Sequence, residues 1–141
     1  MKSPPPGVFL HIEGKCMTCI HLIEDNIETC NLVQKVLRHA GYRVITSNNG
    51  EHALHLLEGR LIPFPNLIIL DIALPGISGY EVARRIKNNP ELRQIPVVFF
   101  SSRNPAELQA KVRELGIEGI ISKPFHLSDF LAKIENNLVI F

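Results

Sequence analysis

Five short apolar runs, at residues 20–23, 44–45, 67–70, 97–100 and 120–121, recur along the chain with room for a helix between each pair. The runs are rich in Val, Ile, Leu and Phe and do not alternate with polar residues. Alternation marks a strand with one wet face, whereas an unbroken run marks a strand covered on both faces, as in a parallel sheet. Between the runs the apolar spacing becomes helical. Val33, Val36, Leu37 and Ala40 follow the i, i+3, i+4, i+7 rule, and Gly41 ends the stripe. Gly79, Val82, Ala83 and Ile86 repeat it before Asn88-Asn89-Pro90. Leu108, Val112 and Leu115 form a third stripe, closed by Gly116, and Leu127, Leu131, Ile134 and Leu138 a fourth, with Ser128 near its start. Residues 51–57 give a shorter helix. Five βα repeats predict an α/β fold, a three-layer doubly wound (βα)5 sandwich.

A chain of 141 residues suits one domain of this kind. Its first 18 residues stand apart as a Pro-containing leader, and residues 19–141 form the domain. Ser3-Pro4-Pro5-Pro6-Gly7 favours an extended tail, and Val8-Phe9-Leu10-His11-Ile12 is either part of it or an added edge strand. Cys16 and Cys19 have CxxC spacing with His11 and His21 nearby. No second CxxC completes a zinc site, and the pair precedes the first strand, so structural or incidental cysteines are expected. Cys30 falls on the first helical stripe and is expected in the core.

Charge narrows the function. Fifteen basic residues against 14 acidic ones leave a net charge of +1, which does not suit a nucleic-acid surface. Arg84, Arg85 and Lys87 read as a solvated helix face. No apolar run approaches the roughly 20 residues of a membrane helix, and the prolines interrupt any signal-peptide core. A cytoplasmic protein is expected.

In open parallel sheets, ligands gather beyond the carboxyl ends of the strands. The first run ends in Glu24-Asp25, the third in Asp71, the fourth in Ser101-Ser102 and the fifth in Ser122-Lys123-Pro124. Three carboxylates on one rim repel each other unless a cation joins them, and oxygen-only ligands suit a hard ion such as Mg²⁺. Asp71 can then attack phosphorus as a carboxylate nucleophile, while Lys123 and the Ser101 hydroxyl hold the transferring oxygens. Taken singly, each residue has a plainer reading. Asp25 could cap the helix containing Ile27, Ser101 and Ser128 could be caps, and Lys123 could be a solvated lysine.

Together these segments resemble the signature blocks of response-regulator receiver domains. The blocks are Ile23-Glu24-Asp25-Asn26, Leu70-Asp71-Ile72-Ala73-Leu74-Pro75 with Gly79, Pro96-Val97-Val98-Phe99-Phe100-Ser101-Ser102, and Ser122-Lys123-Pro124-Phe125. The resemblance spans about residues 20–138. It implies a flavodoxin-like sheet of order 2-1-3-4-5 and a two-component or phosphorelay switch rather than an enzyme. It implies that Asp71 takes a phosphoryl group from the phosphohistidine of a histidine kinase or a histidine phosphotransfer protein. Asp25 would ligate Mg²⁺, Glu24 would act in the same acidic pocket, and Ala73 would lend its carbonyl oxygen. Ser101 would be the switch hydroxyl, Lys123 the phosphate-contacting lysine, and the Lys123–Pro124 bond cis. The chain would dock on a downstream protein partner, or be part of a longer regulator, without touching nucleic acid or membrane itself.

Three positions depart from the family pattern. Ser101 replaces a threonine, keeping the hydroxyl, and Ser102 replaces a small apolar residue. Ile120 stands where many receivers carry a Tyr or Phe that reports phosphorylation. Transmission is therefore expected through the loop 101–104 and the helix 106–115, beside a surface formed by Ile120 and the final helix. Arg103, two residues past Ser101, and the small Ala73 are expected to set the lifetime of the acyl phosphate. Two other readings stand beside this one. One is a receiver-like interaction module that works without phosphorylation, although no key acid or lysine is missing. The other is an aspartyl-phosphate phosphohydrolase, which would need an acid where Ala73 stands.

Overall fold

The structure, a computed structural model, describes residues 8–10 and 16–140. Its elements in chain order are β1 (Val8–Leu10), β2 (Cys16–Ile23), α1 (Ile27–His39), β3 (Arg43–Ser47), α2 (Gly50–Glu58), β4 (Leu67–Asp71), α3 (Gly79–Asn88), β5 (Val97–Ser101), α4 (Pro105–Leu115), β6 (Gly119–Ser122) and α5 (Leu127–Asn137). Strands β2 to β6 are parallel and run β3-β2-β4-β5-β6 across the sheet. Counted from β2, that is the expected order 2-1-3-4-5.

Strands buried on both faces sort their side chains by period two. On one face Ile23, Ile68, Leu70, Val97 and Phe99 pack under α2, α3 and α4, meeting Leu54, Leu57, Val82, Ile86 and Leu108. On the other, Ile20, Leu22, Ile69, Val98, Phe100 and Ile121 meet Val33 and Leu37 of α1 and Phe130 and Ile134 of α5. Every residue of β4 and β5 is buried, which explains their unbroken apolar runs. The lateral strands β3 and β6 are partly exposed and gave shorter runs.

Several boundaries differ from expectation. β2 begins at Cys16, so Cys16 and Cys19 lie within the strand rather than before it. Cys19 is wholly buried, and burial pushes its thiol up to about 12, which keeps it protonated and unreactive. Val8–Leu10, within the expected leader, pairs antiparallel with the first residues of β2, while His11 and Ile12 lie outside the described residues. Cys30 is only half-buried, at the margin of its cluster. Arg84 and Arg85 are solvated, but Lys87 is not. Its ammonium is tucked against Glu118 and the carbonyls of Arg93 and Ile95, closing the lower end of α3.

One glycine sets how closely α3 approaches the sheet. A Cβ on Gly79 would fall 2.6 Å from Ile72 Cα and closer still to the Asp71 carbonyl oxygen. Both are backbone and cannot swing aside, so any side chain here moves α3 away from the end of β4. Gly79→Ala is expected to lower stability by about 1–3 kcal/mol, as overpacking does. Urea denaturation of the two proteins checks this, and equal midpoints would contradict it.

Candidate functional site

The carboxyl ends of β2, β4, β5 and β6 meet on one rim because the register aligns them. Ile23 pairs with Leu70, Asp71 with Phe100, and Ser101 with Ser122. Just beyond these pairs the carboxylate oxygens of Glu24, Asp25 and Asp71 lie within 4.8 Å of one another. Glu24 and Asp71 are buried and Asp25 is exposed.

The capping alternatives for these residues are already taken. α1 is capped by Asn26, whose side-chain oxygen accepts from the Thr29 N–H at 2.9 Å, which leaves Asp25 without that task. α4 is capped by Asn104, and the N-cap of α5 is His126, so neither Ser101 nor Ser128 is an N-cap residue. The Ser101 hydroxyl is buried and accepts the Arg103 N–H at 3.0 Å.

Lys123 crosses the rim from the end of β6. Its ammonium lies 2.6 Å from Glu24 Oε1 and 3.5 Å from Asp71 Oδ2, with the Phe100 ring centroid 4.6 Å away. Its backbone N–H donates to the Ser101 carbonyl at 2.8 Å, tying the two strand ends together, and the Lys123–Pro124 bond is cis. Asp71 Oδ1 accepts the Ala73 N–H at 3.1 Å, which fixes the carboxylate's orientation. Ala73 itself is exposed. Arg103 is exposed too, and its guanidinium lies 3.5 Å from the Tyr80 hydroxyl. Among the described residues no ion pair joins Arg103 to Asp71.

Three carboxylates facing one ammonium leave an excess of negative charge, and Glu24 registers it. Burial first, then its contact with Asp71, pushes the Glu24 carboxyl up to about 7, against the opposing pull of Lys123 and the Asn26 N–H. A cation in the pocket would relieve that repulsion and let all three acids ionise. Its donors are all oxygens, the set that a hard divalent ion prefers over softer metals.

Sequence comparison agrees with this geometry. Residues 20–135 match the response regulator receiver domain family. The two-component response regulator ORR6 of Oryza sativa subsp. japonica is 37% identical over 107 residues, which cover 76% of this chain and 63% of that protein, just under two thirds of its length. The polar-differentiation response regulator DivK of Brucella anthropi is 34% identical over 119 residues, 84% of this chain and 94% of that one. Among solved structures, the Mn²⁺-bound form of the response regulator Rcp1 superposes with a TM-score of 0.71 at 32% identity, covering 84% of this chain and 90% of that one. With the sheet order, the acid rim and these likenesses in agreement, the chain belongs to the receiver domain family of two-component response regulators.

Proposed function

We propose that this receiver is a phosphoacceptor whose nucleophile is Asp71. The observation that carries the reading is the setting of that carboxylate. One oxygen is anchored by the Ala73 N–H, the other faces the Lys123 ammonium, and both acids of the β2 end stand beside it. A carboxylate oxygen of Asp71 attacks the phosphorus of a phosphohistidine, the P–N bond breaks, and the imidazole leaves to take up a proton. Lys123 releases part of its hold on Glu24 to meet the incoming oxygens, and the Ser101 hydroxyl turns from Arg103 N–H to donate to one of them. Glu24, Asp25, Asp71 and the Ala73 carbonyl would hold Mg²⁺, which supplies charge neutralisation of the phosphoryl group. That Rcp1 has a Mn²⁺-bound form supports divalent-ion binding by this chain.

The donor is a histidine kinase or a histidine phosphotransfer protein, and the product is a changed affinity for a downstream protein partner. The working unit runs from the start of β2 at Cys16, three residues before the expected boundary at 19, and acts in the cytoplasm. Among the described residues no helix is long and apolar enough to cross a membrane. Arg103 tunes the lifetime of the acyl phosphate from the loop beside Ser101. Ala73 offers no general acid, which argues against turnover of external phosphoesters.

Incubation with acetyl phosphate and Mg²⁺ should add one phosphoryl mass to the chain, and chelation of the ion should prevent it. An unlabelled protein under saturating conditions would refute the proposal. The raised Glu24 carboxyl gives a companion test. Because Glu24 titrates near pH 7, Mg²⁺ must displace a proton below that value and none well above it. Calorimetric titration should show affinity rising between pH 6 and pH 8, by up to about tenfold per unit on the acid side. Asp25→Ala should remove the binding. A pH-independent affinity would show that the ion displaces no proton from Glu24.

A further inference from the structure

Ile120 leaves β6 without an aromatic at the position where the family commonly carries one, yet an aromatic does stand beside the loop of Ser101. It comes from the other direction, from the first turn of α3. The Tyr80 ring meets wholly buried Phe99 edge-on, with centroids 5.7 Å apart and planes at 76°. Phe99 precedes Ser101 by two residues on β5 and pairs across the sheet with Ile120. The Lys111 ammonium, from α4, lies 5.5 Å from the Tyr80 ring centroid. The Tyr80 hydroxyl faces Arg103 Nη1 at 3.5 Å, at the outer limit of hydrogen bonding, and Arg103 donates its backbone N–H to Ser101 Oγ. One partly exposed ring therefore touches α3, the core of β5, α4 and the loop that holds the switch hydroxyl.

We infer that Tyr80 is the aromatic reporter of Ser101 in this chain, a positioning residue that couples the β5–α4 loop to α4 from the α3 side. The inference rests on the phosphoacceptor reading. While Ser101 accepts the Arg103 N–H, the loop is held and the Arg103 guanidinium stays beside the Tyr80 hydroxyl. Once Ser101 Oγ turns to a phosphoryl oxygen on Asp71, that N–H loses its acceptor and the loop is released. Arg103 then withdraws, and the Tyr80 hydroxyl exchanges that cation for solvent. Lys111 remains the ring's attachment to α4, so a shift of the ring is felt there. Such a switch needs only that the phosphoryl group favour one of two packings, and a contact as long as that of Arg103 with the Tyr80 hydroxyl suits two packings of similar stability.

The composition offers a clean probe. The chain has two tyrosines, Tyr42 and Tyr80, and no tryptophan. In a Tyr42→Phe protein Tyr80 is the sole emitter, and its fluorescence responds to loss of a neighbouring cation. Beryllofluoride with Mg²⁺ is expected to change that emission saturably, in step with the bound fluoride signal in ¹⁹F spectra and not in an Asp71→Asn background. In amide spectra the wild type should shift along α4, residues 105–115. Tyr80→Ala should bind beryllofluoride one to one yet confine its shifts to the rim, and Tyr80→Phe, which keeps the ring contacts with Phe99 and Lys111 but loses the hydroxyl that faces Arg103, should weaken the α4 response without abolishing it. Unchanged Tyr80 emission with beryllofluoride bound, or full α4 shifts in Tyr80→Ala, would overturn the inference. If the wild type shows no bound fluoride at all, the phosphoacceptor reading fails first and takes this coupling with it.

Discussion

Replacing Asp71 by Asn is expected to abolish phosphoryl uptake completely while leaving the fold intact. The amide has the carboxylate's shape but its oxygen is neutral and far less nucleophilic, so no acyl phosphate forms. The Ala73 N–H can still find the side-chain oxygen, which preserves the local turn. The charge balance moves in a favourable direction. Asp71 is one of three acids gathered within 4.8 Å, and its contact and charge are among the causes that raise Glu24. Without it, two acids face Lys123 instead of three, and Glu24 returns toward the ordinary carboxylate range. In the absence of Mg²⁺ the variant should therefore melt at or above the wild-type temperature, because burying like charges costs stability. Mass spectrometry after acetyl phosphate treatment checks the chemistry, and a thermal melt checks the fold. Label retained by the variant, on Glu24 or Asp25, would move the phosphoacceptor to another acid of the rim.

Much of this site was visible in the sequence because a fully buried parallel strand tolerates polar residues only at its ends. Asp71 and Ser101 follow runs that are buried throughout, so each stands out as the first polar residue at the carboxyl edge. The helical stripes were equally plain where glycine or proline punctuated them, as at Gly116, which adopts the left-handed conformation at φ 72°. What the pattern hid was pairing. The contact of Lys123 with Glu24 joins residues 99 apart, and nothing local signals it. The start of β2 was hidden for a different reason. Cys16-Met17-Thr18 lacks the Val and Ile that mark a strand, and its pairing with β1 is a tertiary fact. Asn66 was missed in the same way. This buried side chain accepts the Cys19 N–H at 2.9 Å and donates to the Val139 carbonyl at 2.7 Å, pinning the segment after α5 to the foot of the sheet. Tyr80 belongs to no helical stripe and took its meaning only from what surrounds it.

His21 was read only as a neighbour of the cysteines, and its burial predicts a marked acid sensitivity. It sits wholly buried in the middle of β2, with Nε2 2.8 Å from the Ser47 hydroxyl, which lies 2.9 Å from Nδ1 of His52. His21 Nδ1 has no partner among the described residues. A proton there would be a stranded donor, so His21 carries its hydrogen on Nε2 and donates to Ser47, which in turn donates to His52. Burial, and then the nearby His52, lowers its pKa to about 3. An unfolded histidine takes up its proton near pH 6.5, so between these values the unfolded chain binds one proton more than the folded one. The stability this represents is fully present above about pH 6.5 and is lost as pH falls toward 3, with a slope approaching 1.4 kcal/mol per unit, roughly. Glu24, raised in the fold, works in the opposite sense between its unfolded value and about 7, so the wild-type curve alone mixes the two. Comparison with His21→Leu at each pH cancels Glu24 and isolates the histidine. Relative to their difference at pH 7.5, the variant should gain roughly 2 kcal/mol on the wild type at pH 5, as one proton over about one and a half units requires. Urea denaturation at the two pH values measures it. Parallel stability curves for the two proteins would mean that His21 charges inside the fold as readily as it does outside.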